Sequence, residues 1–197
     1  MPPHPSTWLE VRAQGLFVRP GGFFVDPTRP VDLAAVTHGH SDHARPGHGT
    51  VLATAATLDI MTLRLGDQAG TAQRPLAYGE IVELGGVRLW LAPAGHVLGS
   101  AQLVMEYGDT RVVVSGDYKR QPDPTCAPFA PVACDLFVTE ATFGLPVFRH
   151  PPPEAEIARL LHSVALFPER CHVVGAYALG KAQRVIALLR AAGWQRP

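Results

Sequence analysis

The sequence concentrates side chains that bind metal ions in one short segment. Three histidines and an aspartate occur within residues 37–43, which read THGHSDH and directly follow an apolar run. Neutral imidazole nitrogens and carboxylate oxygens are suitable ligands for Zn, Mn or Fe. In an extended segment, His38 and His40 point to the same side and can bind one ion. Asp42 and His43 follow where the chain is expected to turn, and they could hold a second ion; a loop of surface histidines is the alternative interpretation.

Two further segments place single ligand-type residues after predicted strands. His96 lies between glycines in PAGHVLGS, and Asp117 ends a run of β-branched residues in VVVSGD. Taken alone, His96 could be a structural histidine and Asp117 an ordinary turn residue. Because the site residues of an α/β protein collect where strands end, the three segments together predict one site. Asp26 follows the run GFFV, either as part of this site or as a plain strand-end aspartate.

The elements expected to position these residues are short strands followed by helices, a layered α/β architecture. Gly85-Gly86 and Gly108-Asp109 predict two β-hairpins. After residue 145 the pattern changes to helical spacing. We therefore predict a metal-binding domain over residues 1–145 and a β-α segment over residues 146–197. The predicted strands cover residues 22–25, 33–37, 51–53, 81–84, 87–91, 101–107, 111–115, 135–138 (expected to be buried) and 171–175, and the predicted helices cover residues 58–65, a segment beginning near 153, and 178–192.

The arrangement H-x-H-x-D-H, then a glycine-flanked histidine, then a strand-end Gly-Asp resembles the metallo-β-lactamase superfamily, and Asp26 matches its first acidic motif. More narrowly, GHVLGS (95–100), TEATFG (139–144) and AYALGKAQR (176–184) resemble the nucleic-acid-processing branch, which includes the β-CASP nucleases. The segments SGDYKR (115–120) and 139–146 are most similar to bacterial exonucleases associated with DNA ligases. The resemblance spans roughly residues 15–190.

This resemblance implies a fold, a ligand set and roles for the acidic residues. The implied fold is an αββα sandwich, of which the chain supplies the first half and part of a following β-α segment. Two divalent ions are implied, Zn or Mn, with Fe also possible. By the resemblance, His38, His40 and His96 bind one ion, Asp42 and His43 bind the other, and Asp117 bridges them. The further catalytic roles fall to Asp26, which orients ligands, and to Glu140, which ends a strand; a solvated Glu140 is the alternative.

The family closes its second metal site with a further histidine near the C-terminus, and no such segment is found in this chain. Family members also run well past 197 residues. We therefore expect that a C-terminal part is missing and that the second metal site is incomplete. We also expect the isolated chain to self-associate and to have little activity.

Basic residues near the predicted site are candidates for phosphate contacts. Tyr118, Lys119 and Arg120 directly follow Asp117, and Lys181 and Arg184 lie near the start of the last predicted helix. A solvated turn and an ordinary charged helix face are the alternatives. The formal net charge is zero, which counts mildly against a nucleic-acid-binding protein.

The function expected from these features is metal-dependent hydrolysis of DNA, by a single-strand exonuclease in DNA repair. A DNA ligase and a helicase of the same system are the expected partners. A hydrolase of small thioesters or lactams and an inactive fragment are the alternatives. The three cysteines form no C-x-x-C pair, and no run of about 18 apolar residues occurs, so we expect a cytoplasmic protein without a membrane segment.

Overall fold

A computed structural model describes residues 3–195 of the chain. Within this range, one six-stranded sheet follows the order of the chain: β1 (Leu9–Arg12), β2 (Gly15–Val18), β3 (Phe23–Val25), β4 (Leu33–Ala35), β5 (Thr50–Ala53) and β6 (Ala72–Pro75). A second sheet has the order β11-β10-β9-β8-β7, with β7 (Val82–Leu84), β8 (Val87–Pro93), β9 (Ala101–Tyr107), β10 (Thr110–Val114) and β11 (Leu136–Val138). The α-helices are α1 (Ala55–Leu65), α2 (Pro153–Leu166) and α3 (Lys181–Ala191).

The strand pairing changes direction within each sheet. Strands β1 to β3 pair antiparallel, whereas β3 to β6 pair parallel. Strands β7 to β10 form an antiparallel meander, and β11 adds to β10 in parallel. Both predicted hairpins are confirmed. At the first, Gly85 and Gly86 have φ values of 56° and 81°, which a type I′ turn requires and which glycine adopts without strain.

The main hydrophobic core lies between the two sheets. Alternating residues of the first sheet, such as Val18, Phe23 and Leu52, are buried in one cluster with Leu89 and Leu103 of the second sheet. On the opposite face of the first sheet, Leu58 and Met61 of α1 pack in a separate buried cluster. The predicted α/β fold with two sheets is confirmed.

Two compact units divide the described chain, one ending at Glu140 and the other beginning at Ala141. The domain boundary after residue 145 stays a prediction. The second unit contains α2 and α3. None of the helices between residues 3 and 195 has the length and apolar content needed to cross a lipid bilayer.

Some predicted elements are wrong. Residues 171–175 form no strand, because no neighbouring strand in the described part of the chain supplies the backbone hydrogen bonds that a strand requires. Val173 in this segment is 89% exposed. The elements described after β11 are the two helices α2 and α3. Strand β11 exists, but its three residues are 37–40% exposed, since β11 lies at the edge of the second sheet. Strands β1, β2 and β6 were not predicted.

Candidate metal centre

Four side chains converge at one edge of the sandwich. The ligand atoms of His38, His40, His96 and Asp117 all lie within 4.8 Å of one another. His38 and His40 follow β4 of the first sheet, His96 lies in the loop from β8 to β9, and Asp117 follows β10. Both sheets therefore contribute to one group of nitrogen and oxygen donors, as expected where several strands end together.

The spacing of the imidazole nitrogens fits one small divalent ion. Nδ1 of His40 lies 3.0 Å from Nε2 of His38 and 3.1 Å from Nε2 of His96. Nitrogens bound tetrahedrally at Zn–N distances of about 2.0–2.1 Å lie roughly 3.3 Å apart. Three imidazoles and a carboxylate also form a donor set suited to Zn or Mn. The residues present therefore fit a metal ion.

Burial keeps two of these imidazoles in the form that binds metal. His38 is fully buried, and this desolvation lowers its pKa to about 2. Burial also lowers the pKa of His96. A hydrogen bond with His43 lowers the pKa of Asp117 to about 2. At neutral pH, His38 and His96 thus present neutral nitrogen lone pairs beside the charged carboxylate of Asp117.

The two oxygens of Asp117 face two different sets of donors. Oδ2 lies 3.6 Å from Nε2 of His96 and 3.8 Å from Nε2 of His38. Oδ1 lies 3.3 Å from Nε2 of His43, which in turn lies 3.8 Å from Oδ2 of Asp42. The side chain of Asp42 is 70% exposed, so the second set is much more open than the first. A carboxylate placed in this way could bridge two ions.

Asp26 holds the second set in place. Its Oδ2 lies 2.8 Å from Nδ1 of His43, and its two oxygens accept from the backbone N–H of Thr37 at 2.8 Å and from the Thr37 hydroxyl at 2.7 Å. A carboxylate on one imidazole nitrogen directs the other nitrogen to the site. Burial alone lowers the pKa of His43, but hydrogen bonds to Asp117 and Asp26 outweigh this effect and raise it to about 10. An ion bound at Nε2 would therefore displace a proton.

A close approach between two strand ends brings Asp117 to the histidines. Gly116 has a φ of 54°, and a Cβ at this position would lie 2.6 Å from Oγ1 of Thr37. Only glycine fits this backbone conformation and this contact. Gly116 therefore allows the ends of β4 and β10 to meet.

The remaining predicted residues of the first unit surround the centre. Glu140 is half-buried, and its negative charge favours protonation of His96, although burial of His96 outweighs this influence. The Tyr118 ring packs against Phe129, with ring centroids 5.2 Å apart. The Lys119 ammonium forms an ion pair with Asp123, whose side chain is nearly buried.

Of the predicted basic residues, Arg120 is exposed, whereas Lys181 and Arg184 belong to the second unit. Nζ of Lys181 lies 4.4 Å from the centre of the Tyr177 ring, a cation–π contact. Arg184 continues the first turn of α3, with its backbone N–H bonded to the carbonyl of Gly180. The roles of these residues toward nucleic acid stay predictions.

Several residues that support the ligand-bearing loops were not identified from the sequence. They are hydroxyl-bearing side chains near the loops, namely Thr37, Thr54, Thr57 and Ser100. A threonine directly before a helical run is a known N-cap signature, and it could have drawn attention to Thr54. The hydroxyl of Ser100 bonds within its own loop, whereas those of Thr37 and Thr57 bond to Asp26 and Gly99, which are distant along the chain and which no local pattern indicates.

Curated proteins with similar sequences were found in bacteria and eukaryotes. A probable DNA ligase of Opitutus terrae is 31% identical over 193 residues, which cover 92% of this chain and 18% of that protein. Cleavage and polyadenylation specificity factor subunit 3-I of Arabidopsis thaliana is 27% identical, over 84% of this chain and 28% of that protein. Ribonuclease TTHA0252 of Thermus thermophilus is 35% identical, over 64% of this chain and 34% of that protein. No protein-family model matches the chain.

These relatives are all much longer than the segment they share with this chain, which spans between 18% and 34% of their length. The match to the Opitutus terrae protein covers 92% of this chain and so includes most of the first unit, where His38, His40, His96 and Asp117 meet. The sequence similarity and the convergence of these residues lead to the same assignment. The chain belongs to the metallo-β-lactamase superfamily, within its β-CASP-like branch.

Proposed function

We propose that this chain carries the metal centre of a nuclease that hydrolyses phosphodiester bonds in DNA, as a single-strand exonuclease in DNA repair. The observation that carries the proposal is the convergence of His38, His40, His96 and Asp117, with imidazole nitrogens 3.0–3.1 Å apart. Relatives named as nucleases favour a nucleic-acid substrate. Similarity to a probable DNA ligase over 92% of the chain favours DNA, and a DNA ligase and a helicase are proposed partners.

In this proposal the residues of the centre have separate tasks. The three imidazoles of His38, His40 and His96 would hold one ion, and Asp42 and His43 would contribute to a second, more open position. Asp117 presents one oxygen to His96 and the other to His43, so it would serve both positions, and Asp26 orients His43. Bound divalent cations, Zn or Mn, would supply a water of lowered pKa and positive charge for the phosphate oxygens. No serine or cysteine nucleophile is then required.

A ribonuclease is the second candidate function. Relatives named as a ribonuclease and as endoribonucleases favour RNA. The same donor group would serve either substrate, because phosphodiesters of DNA and RNA carry the same charge. The two candidates differ in how the 2′-hydroxyl is accommodated and in whether cleavage begins at an end of the strand.

The deciding experiment uses oligonucleotides of one sequence, made as DNA and as RNA, and labelled at the 5′ or the 3′ end. We expect the protein with Mn or Zn, used in excess because little activity is expected of the isolated chain, to shorten single-stranded DNA progressively from one end, and we expect EDTA to stop it. Internal cuts in RNA with intact DNA would support the ribonuclease instead. Hydrolysis of thioesters or β-lactams, with both nucleic acids left intact, would exclude either nuclease.

The contrast between Arg120 and Lys119 gives a prediction for binding. We expect Arg120→Gln to weaken binding of single-stranded DNA and to reduce the slope of log affinity against log salt by about one unit. Lys119→Gln should change the slope much less, because Asp123 already neutralises the ammonium group. Fluorescence anisotropy at several salt concentrations, in EDTA to prevent hydrolysis, measures both slopes. An unchanged slope for Arg120→Gln would mean that Arg120 does not contact phosphate.

A further inference from the structure

Hydrogen bonds within the loop that carries His96 fix its shape. Residues 94–100 connect β8 to β9. The hydroxyl oxygen of Ser100 accepts from the backbone N–H of His96 at 3.0 Å and from that of Val97 at 3.2 Å. The N–H of Ser100 also donates to the carbonyl of Val97 at 2.9 Å. These bonds shape the tip of the loop but do not attach it to the rest of the molecule.

The same loop is also attached to the start of helix α1 through Gly99. The carbonyl of Gly99 accepts from the hydroxyl of Thr54 at 2.7 Å and from the hydroxyl of Thr57 at 3.1 Å. A carbonyl has two lone pairs and each hydroxyl has one proton, so both bonds can form together. Both threonines are buried, at 6% and 0% exposure. Solvent is therefore not positioned to replace a lost hydroxyl.

The backbone of the loop fits closely against this end of the helix. Gly99 has a φ of 78°, and a Cβ there would lie 2.7 Å from Oγ1 of Thr54 and 2.8 Å from the backbone nitrogen of Thr57. A side chain at this position would push the loop away from the two hydroxyls. The two hydrogen bonds and the glycine at position 99 therefore both depend on the same close approach of the loop to α1.

Helix α1 also contacts the other ligand-bearing segment. Ile60 packs against Gly39, which lies between His38 and His40, so closely that a Cβ on Gly39 would lie 2.7 Å from it. The guanidinium group of Arg64 donates to the Gly39 carbonyl. Helix α1 therefore contacts both loops that bring imidazoles to the centre.

We propose that Thr57, together with Thr54, is a positioning residue that sets the place of His96 relative to His38 and His40. This inference rests on the proposed function, since it assumes that the imidazoles bind a metal ion. Thr54 also caps α1, because its hydroxyl oxygen accepts from the backbone N–H of Thr57 at 3.2 Å. Thr57 is therefore the better residue to change, since its loss leaves the helix cap in place.

The test compares Thr57→Val with the parent and with Thr57→Ser, using Co²⁺ as a spectroscopic probe. Valine keeps the shape of threonine and removes the hydroxyl. We expect Thr57→Val to bind Co²⁺ about tenfold more weakly, with an altered visible absorption spectrum, as for other residues that support metal ligands. Thr57→Ser should restore both properties. Thr62→Val is the matched control, because Thr62 lies on the same helix, is exposed, and bonds to Gln73.

The possible outcomes separate this inference from the proposed function. Equal Co²⁺ affinity and spectrum in the parent and Thr57→Val overturn the positioning role while leaving the metal centre intact. An equal loss in Thr57→Val and Thr57→Ser also overturns it, because the site then responds to any change at Thr57, whether or not the hydroxyl is kept. A parent protein that binds no Co²⁺ overturns the proposed metal centre and this inference with it. If Thr57→Val fails to fold, Thr57→Ala removes the same hydroxyl and decides between the same outcomes.

Discussion

Replacing His40 with alanine is expected to abolish hydrolysis while leaving the fold intact. Nδ1 of His40 lies 3.0–3.1 Å from both other imidazoles of the centre, so its removal opens the middle of the donor group. The side chain is only half-buried and is not part of the hydrophobic core. Loss of a residue that merely supports a ligand reduces activity about 10- to 100-fold, and loss of the ligand itself should exceed this range.

The measurement is the initial rate on labelled oligonucleotide at saturating Mn, with circular dichroism to check the fold. His162→Ala is a suitable control, because His162 is an exposed histidine of α2 in the second unit. It should keep the parent rate. Metal-dependent hydrolysis at the parent rate in His40→Ala would falsify the assignment of this residue as a ligand.

Replacing Asp117 with asparagine is expected to reduce hydrolysis far more than either Glu140→Ala or Glu140→Gln. The two oxygens of Asp117 face His43 on one side and His38 and His96 on the other. Asparagine retains the shape but removes the charge, and it leaves only one oxygen to contact both positions. Glu140 influences the centre through its charge near His96 and is not part of the converging group.

Rates for all three variants at saturating Mn, together with the number of metal ions bound per chain, test this ranking. Asp117→Asn should lose bound metal as well as activity. The Glu140 variants should keep the metal content of the parent. Equal losses in rate and metal content for Asp117→Asn and Glu140→Gln would show that the two acids have been ranked wrongly.

Local patterns predicted much of the site because its ligands lie in short segments with distinctive spacing. His38, His40 and His96 lie where strands end, and the hairpin at Gly85-Gly86 needs only two residues to be recognised. The contacts of Lys119 could not be predicted in the same way. Its ion pair with Asp123 depends on the conformation of the loop that follows, and no periodic pattern in the sequence predicts that conformation.

Burial and strand pairing were the harder properties to predict. The apolar run Leu136–Val138 resembles a buried strand, yet it lies at a sheet edge and remains more than one third exposed. Residues 171–175 have β-branched composition, but a strand forms only where a neighbour completes its hydrogen bonds. Both properties depend on residues far away in the chain. The attachment of Gly99 to α1 was missed for the same reason.

Because His38 follows the first sheet while His96 and Asp117 follow the second, an ion held by all three would act as a cross-link between the sheets. Such a link closes the long chain segment from residue 38 to residue 117, and links across long segments restrict the unfolded chain most. Metal binding and folding would then be one coupled equilibrium. In the absence of metal, the sheets would separate more easily and expose their shared apolar interior to aggregation and proteolysis. The proposed metal centre would in this way also stabilise the two-sheet sandwich.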